Sequence, residues 1–286
     1  MLKNYFLTAY RNLLRNKSYA AINVVGLAVG IAAFLLIFLV IEFETSFDTF
    51  HKKRDRIYRV STEFNNPDGK GYSPGVPAPV TETLRTDFPQ LENVGAIFGG
   101  LRGLVNIPDT AGKAPVKKFD EENGVFFADP QFFQIFDFKW LAGDPKTGLS
   151  EPNTGVLVKE TAERYFGDWK AAIGKTIKHD NKRLIKITGI LDNVPVNSDF
   201  PLKVVMSFAT TKVPGSGINF EDWVSVSSEV QCYVVLPPNV SPASIDAAFP
   251  AFVKKYKPAD RLTDGLVMQP LRDIHFDERF GNFNGR

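Results

Sequence analysis

Between Tyr19 and Ile41 the chain carries no charged residue, and Asn23 is the one strongly polar side chain. The core of this run, Val24 to Ile41, is Val, Gly, Leu, Ala, Ile and Phe. A helix needs about 20 apolar residues, rising about 1.5 Å each, to cross a ~30 Å hydrocarbon layer. The spacing therefore predicts a transmembrane helix over 19–41, with the flanking segments on opposite sides of a bilayer. Gly26 and Gly30 stand four apart in GLAVG. That is the small-xxx-small spacing that lets a second helix approach closely, although glycine is common in membrane helices anyway.

The flanks set the direction. Lys3, Arg11, Arg15 and Lys17 precede the span without an acid among them, whereas Glu42, Glu44 and Asp48 follow it. Positive flanks stay cytoplasmic, so the N-terminus is expected inside and the remaining ~240 residues across the membrane. A cleaved signal peptide would have an apolar region of about 7–15 residues and a small-residue cleavage site. Here the run is longer and passes into Ile41-Glu42-Phe43-Glu44 without one. Within residues 1–18, Leu2, Phe6, Tyr10, Leu13 and Leu14 fall at helical spacing, away from Lys3, Arg11 and Arg15. This predicts an amphipathic helix on the inner membrane surface. Composition favours an anchor to anionic lipid; a docking surface for a cytoplasmic partner is the sharper alternative.

Of 34 basic residues, the four before the span belong to the anchor, which leaves 30 against 32 acids. Nothing in that balance points to nucleic acid. A single cysteine, Cys232, excludes an internal disulfide framework. The 25 Phe suit a packed globular domain rather than a disordered stalk.

Residues 42–54 read as a stalk continuing the membrane helix. Beyond it, 56–64 (RIYRVSTEF) alternates like a half-buried strand, and 65–75 reads as a turn or loop. A helix is expected over 78–88. Strands follow at 94–98, 116–119 and 125–127, with a short helix over 130–136. The Pro- and Gly-bearing stretch 144–153 is the best internal boundary. Further strands are expected at 155–159, 203–208, 231–236 and 265–271, and a hairpin joins 176–179 to 184–191 across Asp180-Asn181. Helices are expected at 160–166 and, from Ser241-Pro242, at 241–256. Strands and helices mixed without regular alternation argue for an α+β domain over 55–286, in two subdomains meeting near 144–153.

Chemistry is sparse. His51, His179 and His275 are scattered, none at metal-ligand spacing, and read as surface or structural residues. HExxH, CxxC and GxSxG do not occur. Ile173-Gly174-Lys175-Thr176 imitates the end of a phosphate-binding loop. However, Trp169 stands where that motif needs glycine, and a strand follows where it needs a helix. A turn into the strand is the better reading. Asp192 to Phe200 (DNVPVNSDF) gathers oxygen ligands, but not at EF-hand spacing, and Pro195 suggests a plain turn. Asp120-Glu121-Glu122 reads as a solvated turn. No catalytic, cofactor-binding or metal-binding residue is predicted, and no cofactor.

Several segments in order resemble one family. These are Leu2-Lys3-Asn4-Tyr5-Phe6, Ala9 to Lys17, Ile22-Asn23 and Gly26-Leu27-Ala28-Val29-Gly30, then Phe47-Asp48, Phe50-His51 and Arg56-Ile57-Tyr58-Arg59-Val60. Val156 to Glu160 with Ala162 and Tyr165-Phe166-Gly167 follow, then Ile173-Gly174-Lys175, Thr188-Gly189-Ile190, Asp192, Val194-Pro195, Asn197-Ser198 and Leu271 with Asp273-Ile274-His275. Together they resemble the MacB-type and FtsX-type permeases of ABC transporters, in their Bacteroidetes form. The resemblance implies a periplasmic core domain inserted after the first membrane helix of an inner-membrane protein. It implies a separate cytoplasmic ATPase, a homodimer or paired permease, and a periplasmic adaptor or outer-membrane protein as partners. It implies no membrane channel for substrate; ATP-driven closure moves the periplasmic domains. The family continues with further membrane helices after this domain, so the chain to Arg286 is expected to be an N-terminal fragment. The alternatives are a single-span tethered periplasmic binding module and, for want of any site, least of all an anchored enzyme.

Overall fold

The computed structural model describes residues 2–108, 117–213, 219–259 and 264–284. The chain forms two compact units, 1–47 and 48–286. The first holds two helices, α1 (Leu2–Arg15) and α2 (Lys17–Thr45). No residue of α2 is buried, and among the described residues it is the one helix long and apolar enough to cross a membrane. An all-round apolar helix with no protein cover needs an apolar medium. The helix runs past the apolar stretch to Thr45, whose hydroxyl donates to the Ile41 carbonyl at 2.7 Å.

The expected stalk over 42–54 is corrected here. Helix ends at Thr45, and Asp48 takes a left-handed backbone (φ 50°) that no helix accommodates. From Asp48 the chain already belongs to the second unit, where Asp48 and His51 are buried.

The second unit is one mixed sheet. Its strands are β1 (Ile57–Asn66), β2 (Gly69–Ser73), β3 (Asn93–Ile107), β4 (Lys117–Ala128), β5 (Trp140–Ala142), β6 (Thr154–Val158), β7 (Thr176–His179), β8 (Arg183–Leu191), β9 (Val204–Ser207), β10 (Val230–Val235) and β11 (Gly265–Pro270). The main order is β11-β1-β10-β3-β4-β9-β6-β8-β5. β2 pairs with β1, and β7 bridges β3 and β8. β4–β9 and β6–β8 are parallel; β1–β10, β1–β11 and β3–β4 are antiparallel. The helices are α3 (Val80–Asp87), α4 (Phe132–Ile135), α5 (Lys159–Phe166), α6 (Pro242–Asp246) and α7 (Phe249–Tyr256). This is the α+β class.

Alternation along the strands sends successive side chains to opposite faces. On one face Ile57, Tyr233, Ile97, Phe126, Val156 and Val205 share a single layer with Phe132, Phe136, Phe138 and Phe200. On the other, Val60, Cys232, Val234 and Val94 pack under α3, α6 and α7. Farther along that face Phe127, Val204, Met206, Leu157 and Ile187 pack with Ala162 and Tyr165 of α5. Only this second face is divided. Residues 144–153 do form turns, but β4 pairs with β9 and β1 with β10 and β11 across that point in sequence. The segment does not part the sheet into successive halves.

Other boundaries shift for local reasons. The segment 65–75 contains β2, hairpinned onto β1. The helix expected over 241–256 is two, because Pro250 lies in the first turn of α7 and brings no N–H. Ser241 caps α6 by accepting from the Ser244 N–H. Asp180 and Asn181 both hold positive φ in the β7–β8 turn, a conformation these two residue types tolerate. Gly174, at φ 77°, turns the chain into β7, so the nucleotide-loop mimic is a turn.

Candidate functional site

A buried polar cluster off the sheet ladder begins three residues past α2. Asp48 is 3% exposed. Its N–H donates to the Asn197 carbonyl at 3.0 Å, and its carboxylate accepts from the Ser198 hydroxyl (2.6 Å) and the Asp199 N–H (3.1 Å). A carboxylate held by a backbone N–H and a hydroxyl makes charge-assisted bonds, stronger than neutral pairs.

His51 lies beneath it. Its Nδ1 accepts from the Asp137 N–H at 2.9 Å, so in the neutral ring the proton sits on Nε2. That nitrogen faces Asp48 Oδ1 at 3.7 Å, beyond hydrogen-bond range. The ring is walled by Phe50, Phe136 and Phe138, with centroids 4.0, 4.9 and 5.3 Å away. Asp137 also accepts from the Lys52 N–H at 2.8 Å. The segment 48–52 is thus clamped to two others, 136–138 and 197–200.

A fourth segment closes the cluster. His275 Nδ1 stands 3.0 Å from Asp199 Oδ1, and against a carboxylate acceptor the ring nitrogen is the donor. The Asn282 and Asn284 amides reach the same oxygen at 3.1 and 3.2 Å, and Asn284 also donates to the Ser198 carbonyl at 3.1 Å. Burial pushes the Asp199 carboxyl above its usual range; the nearby Asp48 charge adds to this, and the His275 and Asn284 bonds oppose it. Asp199 and His275 are both buried. The arrangement can join four chain segments rigidly. Among the described residues, no three His, Cys, Asp or Glu side chains converge to hold a metal ion.

The aromatic layer beneath adds stiffness. Phe200 contacts Phe132, Phe136, Phe138 and Tyr233 with centroids 4.6 to 6.1 Å apart. Beside it Arg59, fully buried, donates to Gln269 and Gln231 and, at 2.9 Å, to the Gly281 carbonyl. Burial lowers its pKa from the usual arginine value, and the Tyr233 hydroxyl, bonded to Gln231, opposes that.

Of the residues singled out by sequence, His51 and His275 prove buried members of this cluster, and His179 is buried elsewhere, against Phe127. The stretch Asp192–Phe200 contributes Ser198 and Asp199, whose role no local spacing signals. Asp120-Glu121-Glu122 is no solvated turn. It lies in β4, where Glu121 is buried and accepts from Arg164 and, at 2.8 Å, the Tyr165 hydroxyl.

Comparison with known proteins bears on this geometry. A family model for the MacB-like periplasmic core domain matches residues 20–252. A crystal structure of a domain assigned to a permease of Porphyromonas gingivalis shares 21% identity over 77% of this chain and 92% of its own, with a TM-score of 0.60. The periplasmic region of MacB from Actinobacillus actinomycetemcomitans shares 14% identity over 75% and 90%, with a TM-score of 0.51. No curated protein matches the sequence.

Proposed function

Because this chain belongs to the family of MacB-like periplasmic core domains, we propose that it works as the permease side of an ABC transporter, carrying the motion of a cytoplasmic ATPase into a periplasmic domain. The observation that supports this is the clamp on Asp48. Three residues past the end of α2 Asp48 is bonded to segment 197–200, His51 and Lys52 then bond to 136–138, and 275–284 is bonded in turn to Ser198 and Asp199, so a pull arriving along the chain at Phe47 meets a rigid body. Force needs such an anchorage; a flexible linker would dissipate it.

In this reading α2 spans the inner membrane, α1 lies on its cytoplasmic surface, and the sheet domain is periplasmic. The basic residues before the span and acids after it support that direction. Export or extraction of a periplasmic substrate, by a dimer or paired permease with an adaptor or outer-membrane protein, completes the proposal, with no catalysis by this chain.

The test is purification of the tagged protein from its native membranes, with ATP hydrolysis measured. An ABC ATPase should accompany it, and be lost when Arg11 and Arg15 become Glu. A chain that stays in the membrane, folded and alone, would overturn the reading in favour of a tethered binding module.

A further inference from the structure

We infer that the sheet face around Leu184, where β3, β4, β7 and β8 meet, docks an acidic segment of a partner protein. Strand register puts its residues on one side of the sheet. Lys118 of β4 lies opposite Asn106 of β3, Asn106 opposite Lys178 of β7, and Lys178 opposite Leu184 of β8. Lys186 lies opposite Thr176, one diagonal step from Lys178. The alternate residues Val105, Ile177 and Ile185 are fully buried in the layer that holds Ala162 and Tyr165 of α5. The lysine row therefore takes the other side. There Lys118, Leu184 and Lys186 are exposed and Lys178 is half-buried.

The charge on this face is uncompensated. Two strand spacings set Lys118 about 10 Å from Lys178, and a diagonal pair such as Lys178 and Lys186 stands roughly 7 Å apart. Like charges on neighbouring strands destabilise a sheet. Among the described residues, no carboxylate forms an ion pair with Lys118, Lys178 or Lys186. Two acids nearby in the strands and their turn are engaged: Asp120 pairs with Arg102, and Asp180 accepts from the Leu104 N–H at 2.9 Å.

The row is also held in place and carries an apolar centre. Asn106, between the lysines, donates to Asn181 Oδ1 at 2.6 Å and so ties the β7–β8 turn to β3. Leu184, directly opposite Lys178, is 57% exposed. An apolar residue rimmed by charge is the anatomy of a protein interface, and a bare polyanion would leave Leu184 unused. Charge complementarity thus selects an acidic polypeptide that brings an apolar side chain of its own.

The test uses the full chain in detergent and a short fluorescein-labelled peptide, one Leu between two runs of Glu, read by fluorescence anisotropy at low salt. The peptide should bind wild type. Its affinity should fall about tenfold or more in the triple variant Lys118→Gln, Lys178→Gln, Lys186→Gln, which removes three exposed ion pairs. Leu184→Ser should weaken it as well. Lys254→Gln, on α7 across the sheet, should bind like wild type. The triple variant should keep or exceed the wild-type Tm, because repulsion is relieved; a lower Tm would mean that the lysines serve the fold, and overturns the inference. Equal binding by the triple variant, or by a peptide with Gln in place of Glu, also overturns it. Leu184→Ser without effect, with inorganic polyphosphate displacing the peptide, would mean a polyanion site instead. Neither α2 nor an ATPase enters this experiment, so its failure leaves the transport reading intact.

Discussion

The Ser198 hydroxyl donates a 2.6 Å hydrogen bond to Asp48, 150 residues earlier in the chain. That bond is one of several that tie the first residue of the sheet domain to the 197–200 loop. Removing it leaves a buried carboxylate one donor short, at a cost of about 1–3 kcal/mol. Ser198→Ala should therefore lower Tm by roughly 2–4 °C per kcal/mol lost in a domain this size. Asp48→Asn should also cost stability, because an amide has one acceptor oxygen where the carboxylate offers one to the Ser198 hydroxyl and another to the Asp199 N–H. Thermal unfolding of the purified protein measures both. A Tm unchanged in Ser198→Ala would show that the loop is held by other means.

Asp199 gives the cluster a pH signature. Its carboxyl titrates above the ordinary value because it is buried. The folded state then holds a proton more tightly than the unfolded state, so this residue's contribution to stability falls as pH rises. The change runs from the ordinary carboxylate value up to the raised one. Denaturant midpoints of wild type and Asp199→Asn, compared from pH 4 to 8, should diverge with that sign, the variant gaining relative stability toward pH 8. A difference that is flat with pH would contradict it.

His179 works in the other direction. Burial lowers its pKa from 6.5, opposed by Asp180 3.4 Å away. The unfolded chain takes up the proton first as pH falls, so stability is lost from about pH 6.5 downward. His179→Asn should flatten that limb between pH 7 and 5, read from the same midpoints. Equal slopes in the two proteins would show that the folded ring is protonated as easily as the unfolded one.

Glycines separate packing from tolerance. At Gly75 a Cβ would overlap the Ser227 carbonyl oxygen, a backbone atom that cannot swing away. Gly75→Ala should cost about 3 kcal/mol, the upper end for overpacking, seen as a lowered denaturant midpoint. At Gly26 and Gly30 nothing lies within 4 Å of an added Cβ. Substitution by Leu at those two should leave unfolding of the sheet domain unchanged. A lowered midpoint there would mean that α2 helps to hold the domain's fold.

Legibility from sequence followed the reach of each interaction. α2 was readable because its signal is uninterrupted over 19–41, and α5 and the β7–β8 turn because their signals lie within a few residues. β3 and β4 read as short fragments, yet they run 15 and 12 residues. Register shifts at Gly99/Leu101 and Leu101/Gly103 break the alternation that reveals a strand. Glu121 looked solvated because its partners, Arg164 and Tyr165, are more than 40 residues away. The cluster around Asp48 was illegible for the same reason. His51, Ser198-Asp199 and His275 are each unremarkable polar residues in loops, and only the fold brings them together.

The placement of β1 has a consequence for how the chain is made. β1 is the first strand to leave the ribosome, yet Ile57 pairs with Val235 and Tyr58 with Pro270. Its β2 hairpin partner reaches only as far as Thr62. The half of β1 nearest α2 thus stays without either neighbour until nearly all the domain has been synthesised. Such distant pairings close slowly and leave strand edges open meanwhile. Biogenesis of this protein therefore has a late commitment point: translation arrested before β10 yields a membrane-bound nascent chain with bare strand edges, a natural client for holding chaperones and quality-control proteases.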